Sequence, residues 1–139
     1  MKVYSGEIDL KTRGEGDIID LSNQIVEHVK KSGVRNGLVS VFAVGSTVAL
    51  TTMEYESGLK KDLIDALERI APRDSEYQHH LRWGDYNGHS HVRASIVGPS
   101  LTIPLINGEV ILGTWQQVVL LELDIRPRSR RVIVTVMGD

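Results

Sequence analysis

Helical periodicity is confined to two segments of this chain, and every apolar run after residue 72 is short. That distribution constrains the fold more than any other feature. Residues 18–32 place Ile18, Leu21, Ile25, Val26 and Val29 at helical spacing. Asp17 precedes them as an N-cap, Lys30 and Lys31 suit the C-terminal end of the helix dipole, and Gly33 suits a left-handed cap. A second helix starts at Ser57, turns Leu59, Leu63, Ile64, Leu67 and Ile70 inward, and stops at Pro72. Residues 3–10, 37–44, 48–53, 100–106, 109–113, 117–124 and 130–137 read as strands. Residues 90–97 also read as a strand, because Val92, Ala94 and Ile96 alternate with their neighbours. Asn107-Gly108 is a hairpin turn, and Pro104 marks an edge or a bulge. Helices early and hairpins late give an α+β class, two main helices with an antiparallel or mixed sheet or sandwich.

The length of 139 residues predicts one domain over 1–139, with no linker, repeat or low-complexity segment. A chain of this size buries roughly two-thirds of its unfolded surface, so it needs neither a disulfide nor a metal merely to fold. It has no cysteine, which excludes disulfides, thiolate nucleophiles, iron–sulfur clusters and Cys-type zinc sites. The net charge of −2 argues against nucleic acid as a partner, and aromatics at 5% leave few stacking platforms for single strands. No apolar run approaches the ~18 residues of a membrane span and no signal peptide opens the chain, so a cytoplasmic protein with no membrane contact is expected.

Chemistry concentrates in one window. Four of the five histidines, His79, His80, His89 and His91, fall within residues 79–91, inside or beside a polar stretch at 73–89 that is long for a connecting loop. On a strand, His89 and His91 would share a face. With His79 from the preceding loop they would make a three-ligand site with an open position for a divalent metal, zinc or magnesium. The competing reading is a set of polar loop histidines near a turn. Asp85 and Asn87 lie in the same window, able to ligate a cation or orient an imidazole, or simply to make turns. Glu122 sits inside an apolar strand, where a carboxylate needs a partner or a role, unless it faces outward from an edge. Asp85 and Glu122 are therefore the candidate catalytic carboxylates. Thr114, Trp115 and Gln116 could shape a ligand pocket or equally a core bulge. Arg126, Arg128, Arg130 and Arg131 suit phosphate geometry or a solvated turn. His28 reads as a surface residue of the first helix.

Three blocks carry a family resemblance: Asn87-Gly88-His89-Ser90-His91-Val92-Arg93-Ala94-Ser95, Gly98-Pro99-Ser100-Leu101-Thr102-Ile103-Pro104, and Leu112-Gly113-Thr114-Trp115-Gln116. In order and spacing they resemble the YjbQ-like family, whose members are often labelled secondary thiamine-phosphate synthases. The resemblance implies an α+β sandwich of jelly-roll-like character, a homotrimer, and a site near the histidines at or near a subunit interface. It implies joining of a pyrimidine diphosphate to a thiazole phosphate with release of pyrophosphate, or binding of a small phosphorylated ligand without turnover. Ser46, Thr47, Asn87, Thr114, Trp115, Gln116, Arg128 and Arg130 would then contact substrate, and His79, His89 and His91 would hold the metal. His79 and His91 match two recurrent family histidines. A third, in a block that here reads Gly45-Ser46-Thr47-Val48-Ala49-Leu50, falls at Gly45.

Overall fold

The computed structural model describes the backbone of residues 1–139 and every side chain except that of Trp83. Among the described residues the chain forms eight strands and four helices. The strands are β1 (Lys2–Lys11), β2 (Ile18–Asp20), β3 (Gly37–Val44), β4 (Val48–Met53), β5 (Ser100–Ile106), β6 (Glu109–Val110), β7 (Gln117–Glu122) and β8 (Ser129–Gly138). The helices are α1 (Ser22–Ser32), α2 (Ser57–Ile70), α3 (Gln78–Trp83) and α4 (Gly88–Val97). One sheet runs β1-β8-β3-β5-β6 and the other β2-β7-β4, and the pairings are antiparallel.

The result is an α+β sandwich of three layers. Alternation along β3 and β8 sends Val39, Val41, Ala43, Val132, Val134 and Val136 inward, where they meet Val48, Leu50, Val118 and Leu120 of the smaller sheet. The other face of that sheet, through Ala49, Val119 and Leu121, packs on Leu67 of α2 and Ala94 of α4. Strand β7 is thus buried on both faces, in keeping with its apolar run Val118–Leu121. Helix α1 closes the inter-sheet core with Ile25 and Val29. Its end matches expectation, with Gly33 at φ 70° and Lys30 and Lys31 in the last turn. Pro104 lies on β5, covered on its outer side only by the two-residue β6, and Asn107-Gly108 turns between them.

Three expectations need correction. Residues 88–97 are a helix, not a strand. Its buried stripe is His89, Ser90, Arg93 and Ala94, at helical spacing but mostly polar, while Val92 and Ile96 point outward. Apolarity therefore traced the wrong period. The polar stretch 73–89 contains α3, so four helices replace the expected two. The first helix begins at Ser22, because Ile18–Asp20 pair with Val119–Leu121 of β7. Asp17 does not cap it; its carboxylate takes the Arg13 N–H, and Asp20 accepts from Ser22 N at 2.9 Å instead. Helix α2 does start at Ser57, capped by the carboxylate of Glu56.

Candidate active site

The C-terminal end of β7, the start of β8 and the turn before β4 meet in a buried polar cluster. Glu122 is fully buried and accepts from Arg130 Nε at 2.7 Å and Arg130 Nη2 at 2.5 Å. Thr12 Oγ1 at 2.7 Å and the Asp124 N–H at 3.1 Å complete its acceptor set. Asp124, also fully buried, takes Arg128 Nε at 2.9 Å, Thr47 Oγ1 at 3.0 Å and the Ile125 N–H at 2.7 Å. Thr47 joins the two ion pairs, since Arg130 Nη2 donates to its hydroxyl at 2.8 Å. Burial alone would push the Asp124 carboxyl up; the bonds from Arg128, Thr47 and Ile125 outweigh it and hold it below the usual value.

Helices α3 and α4 set two imidazoles beside this cluster. The rings of His79 and His91 lie 4.4 Å apart, tilted by 38°. Asp85 Oδ1 stands 3.4 Å from His79 Nδ1, an ion-pair separation too long and misaligned for a hydrogen bond. Asn87, buried at the start of α4, lies between the carboxylates of Asp85 and Asp124. With its amide nitrogen toward Asp85 it donates at 2.9 Å, against 3.4 Å in the opposite orientation, and the shorter arrangement is the better bond. Burial, then the neighbouring His79, lowers the His91 pKa, with Asp124 and Asp85 opposing. His91 is therefore held in the neutral form that accepts protons or ligates metal.

His89 is elsewhere. Two residues apart on a helix are ~200° apart around its axis, so His89 and His91 face opposite ways. The expected shared face depended on a strand that does not form. His89 is fully buried, its Nε2 against Glu15, with Arg93 paired to Glu68 nearby. Of the predicted metal set, the structure brings together His79 and His91 only. These residue types are ones a divalent cation could use: two imidazoles beside a carboxylate, with His79 Nδ1 buried and lacking a hydrogen-bond partner among the described residues. Among the described residues no group of three or more His, Asp or Glu side chains is placed to hold a metal ion by itself.

Of the predicted substrate contacts, Thr47, Asn87, Arg128 and Arg130 join this cluster, with Arg130 turned inward onto Glu122 and Arg128 38% exposed. Ser46 is exposed on the turn beside it. Thr114, Trp115 and Gln116 precede β7, roughly 25 Å of extended strand from Asp124. Trp115 is 74% exposed, and Gln116 bonds Gly113 N and Thr52 Oγ1. Sequence reasoning missed Asp124 and Glu15. Asp124 had a signal, because it repeats Glu122 at strand period past an apolar run; Glu15 had none, since only the fold carries it to His89. His28 is half-buried, bonded to the Tyr4 hydroxyl at 2.8 Å, rather than a free surface residue.

A sandwich whose smaller sheet ends in two arginine–carboxylate pairs, one buried and one reaching solvent through Arg128, with a histidine pair beside them on short helices, defines a class of α+β proteins with a polar corner. The chain belongs to the UPF0047 YjbQ-like family, whose model matches residues 6–139. It is 41% identical to a UPF0047 protein of Methanothermobacter thermautotrophicus over 138 residues, 99% of this chain and 94% of that one. A UPF0047 protein of Archaeoglobus fulgidus is 38% identical over 92% of this chain and 97% of its own. Among solved structures, a YbjQ-like protein of unknown function from Sulfolobus solfataricus superposes with a TM-score of 0.93 at 31% identity, covering 99% of both chains. No described helix is long and apolar enough to cross a membrane.

Proposed function

We propose that the His79–His91 corner is the working site of a metal-assisted enzyme acting on a small phosphorylated substrate. The observation that carries this reading is the 4.4 Å approach of the two rings, with Asp85 at one of them. A divalent cation would be held by His79 and His91, and imidazole donors favour zinc over magnesium. The ion would supply Lewis acidity toward a phosphoryl oxygen. Asp85, tied by Asn87, stands 3.4 Å from His79 Nδ1 and would orient that ring toward the ion. His91, kept neutral, ligates or takes up a proton. Arg128 presents an accessible fork toward phosphate while Asp124 holds its other edge. The family resemblance adds thiamine-phosphate-synthase-like coupling as a side activity, and a homotrimer. The outer face of the larger sheet, with Val3, Leu38, Phe42 and Met137 exposed, would suit self-association.

A second reading is a non-catalytic binder of a phosphorylated ligand. Gly45, standing where the family block carries a histidine, favours it. Elemental analysis of tag-free protein beside a His79→Ala/His91→Ala variant tests the first reading. Near-stoichiometric zinc, lost in the folded variant, is expected. No metal in either sample after reconstitution overturns it. Assay with both thiamine-phosphate precursors then separates turnover from binding, since a binder raises the melting temperature without forming product.

A further inference from the structure

Back to back with the His79–Asp85 pair, the same segment builds a second concavity. The next residue in each case, His80 and Tyr86, faces away from it. The His80 ring lies 5.5 Å from Tyr77 in an edge arrangement and 4.8 Å from Tyr86. Two cavities, of about 210 and 320 Å³, share Glu76, His80 and Tyr86 as walls. The larger lies at the low end of the range of small-molecule sites.

One wall is rigid. The Tyr77 hydroxyl donates to Pro72 O at 2.6 Å, and the side chain packs so closely on α4 that a Cβ at Gly88 would come within 2.6 Å of Tyr77 Cβ and 2.8 Å of the ring carbon Cγ. The other wall is poised. Tyr86 has φ 58°, a conformation bulky residues rarely adopt, and is 65% exposed. Such strain in a large side chain collects at ligand sites. Beneath these rings His80 Nε2 is buried with no hydrogen-bond partner among the described residues. Nothing in the proposed phosphate chemistry uses these groups.

We infer that Tyr77, His80 and Tyr86 form a stacking site for a flat heteroaromatic ring of nucleobase size. The ring stacks on Tyr86, which swings aside to expose the His80 nitrogen to a polar edge of the ligand. An imidazole nitrogen can donate or accept, so a base edge satisfies it. A quaternary ammonium cannot, although tyrosines and Glu76 would otherwise suit a cation.

The test uses chelated full-length protein, which makes it independent of the metal reading. Adenosine and cytidine are titrated separately, with tetramethylammonium as control, while NMR follows the His80 and Tyr86 ring signals. Saturable shifts with a nucleoside and none with tetramethylammonium are expected. Tyr86→Gly should weaken binding at least tenfold without lowering the melting temperature, since glycine suits the positive φ. His80→Phe, which keeps a ring but no nitrogen, should weaken it as well. Absence of saturable shifts with both nucleosides, unchanged binding in Tyr86→Gly, or equal binding of tetramethylammonium overturns the inference.

Discussion

Arg130 closes a two-bond ion pair on Glu122 inside the fold, at 2.7 and 2.5 Å, with the carboxylate fully buried. Every acceptor position of Glu122 is occupied by the protein itself, through Arg130, Thr12 and the Asp124 N–H. The pair is a structural clamp from β7 to β8, and Glu122 also anchors the backbone N–H of Asp124.

Removing one side of that clamp leaves an uncompensated buried charge. Glu122→Ala is expected to cost about 3–5 kcal/mol in urea unfolding, whereas a Glu122→Leu/Arg130→Met double variant should lose much less. Equal losses in the single and double variants would contradict the clamp.

Stability should depend on pH in two windows. The folded His91 pKa is lowered, so below about 6.5 the unfolded state binds the proton more readily and stability falls as pH falls. Asp124 is also lowered in the fold, so its contribution is present above about 3.8 and is lost on further acidification through its folded value. Melting temperatures of chelated protein across these windows should show both declines. His91→Phe should flatten the upper one alone.

Gly45→His should not rebuild a third imidazole ligand. Gly45 has φ 151°, and a Cβ there would meet Arg130 Nη1 at 2.8 Å and Val48 Cγ1 at 3.0 Å. Backbone strain of about 1–3 kcal/mol adds to displacement of the clamp. The variant should melt lower and gain no metal; a stable variant with higher zinc affinity would refute this.

Gly88→Ala tests the close approach of α4 to Tyr77. Overpacking of this kind costs about 1–3 kcal/mol, although alanine is the better helix former. A variant more stable than the parent in denaturant titration would show that Tyr77 yields freely.

The sequence by itself determined the strands with clean alternation, such as β3 and β8, the doubly buried β7, the Asn107-Gly108 hairpin and the Gly33 end of α1. In each, apolarity and turn chemistry coincide with what the fold buries. It also identified the residue types at the polar corner. Only the tertiary structure decided how they are arranged. Helix α4 buries His89 and Arg93 because partners on other elements, Glu15 and Glu68, make those polar groups tolerable inside. No local pattern can announce a partner so far away in sequence, so a strand reading puts His89 and His91 on one face, and the helix separates them. The same holds for Glu122 and Asp124. An acidic residue in an apolar strand signals a need for a counter-charge, but packing of β8 and the turn before β4 chose Arg130, Arg128 and Thr47 to meet it.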